Sequence, residues 1–341
     1  MRPSAVTEPV ELAELQRLLD GAPAPVQVCT LCEVDAGGRR LPVPAFLLGN
    51  PAPQAPAAGF FGGVHGLERI GAAVVLCFLR SVLARLRWDE LLLRQLEHMR
   101  LVFMPVVNPG GLWAGTRANP QGVDLMRNAP VDATEAVAPL VGGQRLSRRL
   151  PWYRGPRHAP LQPESQALCA LVRRELLSHE FSLAVDCHSG FGLHDRLWFP
   201  YAGTRAPVPH LAELYALSRL LDDALPQHRY LFEPQSRHYL AHGDLWDYLY
   251  REACRDPGRT FLPLTLEMGS WLWVRKNPRQ LLSAQGLFNP LPEHRHARVL
   301  RRHLGWLELA ARAACSHRAW CPQGAERERQ QHLALRRWYA A

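Results

Sequence analysis

His65-Gly66-Leu67-Glu68 places an imidazole and a carboxylate three residues apart. If a helix begins here, that spacing sets both side chains on one side of a turn. Imidazole and carboxylate suit zinc, and a catalytic zinc takes three protein ligands while leaving a position for water. The neighbouring Gly62, Gly63 and Gly66 let the backbone turn tightly and leave room for a bound group. A helix-start glutamate beside a chance histidine looks the same, so this motif alone does not decide. A second histidine, His188, ends the apolar run Leu183-Ala184-Val185-Asp186-Cys187 and leads into Ser189-Gly190. Asp186 lies two residues back, on the same face of a strand, where it could orient an imidazole from behind. A core or turn histidine is the competing reading. A third apolar run, Phe261 to Leu266, ends in Glu267. A carboxylate there is costly if buried without a partner, and a surface glutamate is the ordinary alternative. Beside a metal-activated water it becomes a proton shuttle.

Between the first two motifs runs a glycine-containing loop, Trp113 to Asn128, with Arg117 and Arg127. Arginine's planar fork suits a carboxylate and can stabilise a developing oxyanion. Arginine is also abundant here: of 40 basic residues only Lys276 is a lysine. Solvated loop arginines are therefore the competing reading.

Each reactive residue needs an element to deliver it. Val26–Val34 and Leu41–Leu48 read as strands joined by a turn at Asp35-Ala36-Gly37-Gly38, after a short amphipathic helix over Pro9–Leu19. Gly59–Val64, Leu101–Val107, Phe181–Cys187, Leu197–Tyr201 and Phe261–Leu266 read as further strands. Helical spacing of apolar residues marks Ile70–Leu86, Glu164–Leu177, Leu211–Leu221, Asp244–Glu252 and Glu293–Ala314. Asn119 to Arg157 is rich in Pro, Gly and Arg and reads as mostly irregular. Alternating strands and helices predict an α/β domain with a central mixed, mostly parallel twisted sheet and helices on both faces. In such sheets ligands bind at the carboxyl ends of strands, where His65, His188 and Glu267 fall.

In this order and spacing the segments resemble the zinc metallocarboxypeptidase family of carboxypeptidase A. HGLE, GVDLMRN, DCHSG and TLEMG are specific together and none is specific alone; they span Gly59 to Gly269. The resemblance implies one zinc ion held by His65, Glu68 and His188. It implies that Arg117 polarises the scissile carbonyl and that Glu267 is the general base. Arg127 would grip the substrate's terminal carboxylate, and Tyr239 would match the tyrosine that closes over substrate, with Tyr248 and Tyr250 as competitors. The family string has Asn immediately before the carboxylate-binding Arg; here Met126 stands there. Methionine cannot donate a hydrogen bond, so the carboxylate clamp is expected to be rebuilt, through Asn119 or Asn128.

The resemblance implies hydrolysis of an amide bond in a peptide or peptide-like substrate. An N-acyl amino acid deacylase with the same zinc set is the alternative, and a non-catalytic binding protein of the same fold is the second. The chain's 341 residues and 47% hydrophobic content permit a large core. A net charge of +9 raises the question of nucleic acid, but the arginines are scattered and no nucleic-acid groove is expected. No apolar run approaches the ~20 residues of a membrane span and no signal peptide is apparent, so a cytoplasmic protein without a membrane partner is expected. Cys29 and Cys32 form a CxxC without a second pair and read as ordinary strand residues. The expected organisation is an N-terminal helix and strands over 1–58 that join the sheet, a catalytic region over 59–314, and a charged peripheral tail over 315–341.

Overall fold

The computed structural model describes residues 8–283 and 285–340. In chain order it contains α1 (Val10–Asp20), β1 (Gln27–Asp35), β2 (Arg40–Gly49), β3 (Ala57–Gly62), α2 (Arg69–Arg85), α3 (Glu90–His98), β4 (Arg100–Met104) and α4 (Pro109–Ala114). There follow α5 (Pro163–Glu175), β5 (Phe181–Ser189), β6 (Arg196–Phe199), α6 (Leu211–Ala224), β7 (Leu231–Pro234), α7 (Leu245–Ala253) and β8 (Thr260–Met268). The last helices are α8 (Trp271–Lys276), α9 (Glu293–Cys315), α10 (His317–Trp320) and α11 (Gly324–Trp338). The strands form one eight-stranded sheet in the order β1-β2-β4-β3-β5-β8-β6-β7. Pairs β4–β3, β3–β5, β5–β8 and β6–β7 are parallel; β1–β2, β2–β4 and β8–β6 are antiparallel. The sheet is mixed with a parallel centre, as the alternation of strands and helices predicts.

The central strands are apolar because both of their faces are covered. Every residue of β3, β4 and β5 is buried. Helices α2 and α9 pack on β3 and β5, while α5 reaches β1 and β4 and α7 lies on β8. The strand predicted to run through Val107 stops at Met104, before Pro105, which has no N–H to donate to a ladder.

Six elements, α3, α4, β7, α8, α10 and α11, escape the periodicity argument. In α3, Leu92 and Leu96 are buried while Leu91 and Leu93 are exposed, so leucines on both faces hide the stripe. Its start is marked instead by Asp89, whose carboxylate accepts from the amides of Leu91 and Leu92. Strand β7 is only four residues long and ends in proline. The C-terminal stretch, expected at the periphery, joins the body of the molecule. Helix α11 packs on α6, and buried Trp338 lies 4.8 Å from the Phe199 ring and donates its indole N–H to the Phe232 carbonyl. The polar face of α11 dominates its composition, and the helix docks through Trp338 and Ala334 with Arg327 bonded to Glu213.

The feature that positions the site is a backbone-to-backbone contact. A Cβ on Gly71, in the first turn of α2, would fall 2.1 Å from the Cys187 carbonyl oxygen of β5. A Cβ on Gly66 would fall 1.9 Å from the Gly111 carbonyl carbon at the start of α4. Only glycine lets the turn after β3 and the start of α2 lie this close to their neighbours. Gly71→Ala is expected to cost about 1–3 kcal/mol, the range for overpacking a tight core contact. A denaturation midpoint equal to that of the parent chain would contradict the reading.

Candidate functional site

Three strands end side by side and their tips carry the reactive groups. Parallel pairing of β5 with β8 sets His188 opposite Glu267, and pairing of β3 with β5 sets Phe61 opposite Asp186. The loop after β3 brings in His65, and Glu68 is the residue immediately before α2. One ligand atom from each of His65, Glu68 and His188 can lie within 4.8 Å of the others, and all three residues are buried. The two imidazole rings are 5.1 Å apart, centre to centre.

The surroundings of this group fix its chemistry. His188 Nδ1 lies 3.2 Å from Glu68 Oε2, and its Nε2 lies 2.8 Å from Asp186 Oδ2. The amide of Ser189 donates to Glu68 Oε2 at 3.0 Å. Asp186 thus stands behind the ring of His188 and leaves the other nitrogen facing Glu68, the arrangement that orients metal-binding histidines. Trp246 of α7 donates its indole N–H to the same Asp186 oxygen at 2.8 Å. His65 Nδ1 and Asp124 Oδ1 are 3.7 Å apart, and neither has a hydrogen-bond partner among the described residues. Burial, then the charge of Arg117, holds the His65 imidazole well below its usual pKa, so it is neutral and keeps a lone pair. At His188 burial opposes the charged form, but Asp186 and Glu68 outweigh it and hold the pKa well above the usual value. Two imidazoles, one carboxylate and acidic groups behind both rings fit a divalent zinc ion with an open coordination position.

Glu267 and Arg117 face this group. Glu267 is buried, and its Oε1 accepts from the amide of Phe191 at 3.0 Å. Burial, then the negative charge of Glu68, pushes its carboxyl up to about 8. The Arg117 guanidinium donates to Glu68 Oε1 at 3.0 Å and to Asp124 Oδ2 at 2.8 Å, and its Nη2 lies 2.7 Å from His65 Nε2. All of these residues except Asp124 line one cleft of about 650 Å³.

The far end of the cleft carries Arg127. Its side chain is buried, its Nη2 donates to the Tyr239 hydroxyl at 3.4 Å, and its Nη1 lies 3.8 Å from Asp244 Oδ2. Its Nε has no partner among the described residues. Tyr239 is therefore the tyrosine that reaches the cleft. Tyr248 meets Arg173 instead, and Tyr250 is wholly buried against His210. The expectation for Asn128 is corrected. Its amide donates to the Arg154 carbonyl and its oxygen accepts from the Gln162 amide, so both ends serve loop packing. Asn119 is consumed likewise, by Gln162, Glu164 and its own turn. Neither replaces the missing amide. Beside Arg127 stand Met126, Tyr239 and Asp244. Asp244 and the aromatic walls Trp152, Trp198 and Trp271 had no signal in the sequence, since a cleft wall has no period. Asp124 did have one: it sits inside the GVDLMRN string, just before the 3-10 turn Leu125–Arg127.

Among known proteins, the family model described as zinc carboxypeptidase matches residues 36–270. Murein peptide amidase A of Escherichia coli, strains K12 and O157:H7, is 30% identical over 140 residues, which is 38% of this chain and 49% of that protein. The chain thus spans about half the length of the curated relatives it matches. Similar solved structures include thrombin activatable fibrinolysis inhibitor (TM-score 0.63, 20% identity, 89% of this chain and 72% of that one). Carboxypeptidase A from Helicoverpa armigera (0.60, 18%, 89% and 71%) and a metallo-carboxypeptidase from Burkholderia cenocepacia (0.55, 15%, 90% and 68%) are also similar. At these identities the structural likeness speaks for the fold alone.

Elemental analysis is expected to find one zinc per chain in the wild type and far less in His65→Ala. A His65→Ala protein with full zinc occupancy would remove His65 from the ligand set.

Proposed function

This chain belongs to the zinc carboxypeptidase family, and on that premise we propose that it hydrolyses an amide bond in a peptide that ends in a free carboxylate. The observation that carries this reading is the convergence of His65, Glu68 and His188 on one cleft wall with Glu267 and Arg117 facing them and Arg127 beyond. When bound, zinc lowers the pKa of water toward ~7, polarises the substrate carbonyl and favours the ionised form of Glu267.

The chain's own groups then have separate tasks. His65, Glu68 and His188 hold the ion, with Asp186 keeping the His188 ring in place. Arg127 receives the substrate carboxylate and so sets the amide at a fixed distance from the reacting groups. Glu267, anchored by the Phe191 amide, takes a proton from the attacking water and returns it to the leaving amine. Arg117 turns its guanidinium toward the oxygen that becomes negative as the carbonyl is attacked. Asp124 pins its Nε from behind, while Nη1 and Nη2, which lie against Glu68 and His65, are the nitrogens that would turn to that oxygen once those two residues hold the ion.

The likeness to murein peptide amidase A makes a short cell-wall-type peptide a reasonable substrate class. An N-acyl amino acid is the alternative, since it presents the same carboxylate next to an amide. A cytoplasmic setting is part of this reading, since a reducing compartment leaves cysteines as the free thiols found here.

A panel of blocked dipeptides, murein-type peptides and N-acyl amino acids tests the reading and separates its two forms. Turnover of none of them by the zinc-loaded chain would refute both. In Glu267→Gln, zinc content is expected to stay at the wild-type level while kcat falls by about 10²–10⁴, the worth of a positioned acid–base group. Near-normal turnover would contradict the role of Glu267. Met126→Asn is expected to lower KM for substrates with a free carboxylate by restoring a donor beside Arg127, and to leave the corresponding amides unaffected. Equal effects on acid and amide would disconnect position 126 from carboxylate binding.

A further inference from the structure

One wall of the cleft is a loop that the catalytic reading does not use. Gln144 is buried at its centre, and its side chain bonds only to the loop's own backbone. The amide donates to the carbonyls of Ser147, Leu150 and Pro151 at 2.8, 3.2 and 3.1 Å. The oxygen accepts from the amides of Leu146 and Ser147 at 2.6 and 3.0 Å. The main chain of Gln144 also bonds to Trp152 and Arg154 across a parallel bridge at Tyr153. A loop with this many internal bonds cannot give way easily.

The loop is bolted to the residues beside it. The Asp124 amide donates to the Tyr153 carbonyl, and Arg154 donates from Nε to the Arg127 carbonyl. Gly143 leaves so little room that a Cβ there would meet the side chains of Arg154 and Arg127 at 3.0 and 3.4 Å. The loop offers the cleft Val141, Pro151 and the large side chain of Trp152, which shares the lining with Met126 and Arg127. Trp152 sits at φ 59°, a left-handed conformation that bulky residues rarely adopt. Its indole makes no hydrogen bond among the described residues, so the strained backbone does not serve a polar contact of its own. Such strain persists only where the surroundings force it, and it concentrates at ligand-contacting sites.

We propose that Trp152 is a specificity-determining wall of the cleft: its indole, carried on this tightly bonded loop and lining the cleft with Arg127, excludes bulky residues from the leaving side of the scissile amide and admits small or slender ones. The inference rests on the carboxylate-recognising role given to Arg127 under the proposed function. Discrimination by exclusion needs a wall with a fixed main chain, which the Gln144 bonds supply.

The test is a gain of activity, which damage to the fold cannot mimic. The zinc-loaded chain is assayed with two blocked dipeptides that differ only in their last residue, alanine or phenylalanine. The wild type is expected to favour alanine. Trp152→Gly, whose new residue adopts a positive φ freely, is expected to raise the phenylalanine-to-alanine ratio of kcat/KM at least tenfold with an unchanged or higher Tm. Trp152→Asn, also tolerant of positive φ, takes its place if the glycine variant does not fold. Gln144→Ala, which keeps the indole and loosens its support, is expected to move the ratio the same way by less. A wild type that prefers phenylalanine, or a ratio that is unchanged or lowered in Trp152→Gly, would overturn the proposal. If the wild type cleaves neither peptide, the hydrolase reading fails and Trp152 is judged by binding. Calorimetry with N-acetylalanine and N-acetylphenylalanine should then show tighter phenylalanine binding in Trp152→Gly than in the wild type. Equal affinities, or no binding of either, would overturn the proposal.

Discussion

Glu68 can meet His188 only because the first turn of α2 rests against the end of β5 at backbone distance. That approach is closer than any side chain at Gly71 would allow, and the tight turn at Gly66 depends on the same absence of a Cβ. The rest of the site follows from this contact. It brings the Glu68 carboxylate to the imidazole of His188 and to the Ser189 amide, and so ties the loop after β3 to the strand that carries the second histidine. The register of β5 against β8 then fixes Glu267 directly opposite His188. Parallel pairing leaves no freedom here, since a one-residue slip would turn either side chain to the other face of the sheet.

Charge is arranged around this contact with equal economy. Four carboxylates, Glu68, Asp124, Asp186 and Glu267, are buried around this site, with buried Arg127 and part-buried Arg117 as counter-charges. Buried like charges are unfavourable without counter-charge. Arg117 bridges Glu68 and Asp124, and Asp186 is shared between His188 and Trp246. The raised pKa of Glu267 reflects burial beside Glu68, so a positive charge placed at this cluster would favour its ionised form. The donor set and the family of the chain agree that this charge is zinc.

The substrate end of the cleft departs from the pattern suggested by the resemblance. Met126 removes a donor beside Arg127, and no nearby asparagine replaces it, because Asn119 and Asn128 are spent on loop packing. The Tyr239 hydroxyl, the Asp244 carboxylate and the Trp152 indole shape that end instead. The His65, Glu68 and His188 set thus follows the pattern implied by the resemblance, while the Arg127 end of the cleft departs from it at Met126.

The amino-acid sequence by itself determined most of the elements that carry the site and the reactive tips of the strands. Apolar runs ending in His188 and Glu267, the three-residue spacing of His65 and Glu68, and the alternation of strands with helices are all local properties, legible in a linear string. The order of motifs was equally legible, which is why the family resemblance could be seen without coordinates. The sequence did not reveal that Asp244 stands beside Arg127, that Trp246 braces Asp186, or that Asn128 turns away from the cleft. Nor did it show that α11, polar along most of its length, docks through Trp338. Those facts belong to tertiary structure. Each depends on residues far apart in the chain meeting at a few ångströms, and the balance of packing and hydrogen bonding that selects one partner over another has no signature in local spacing.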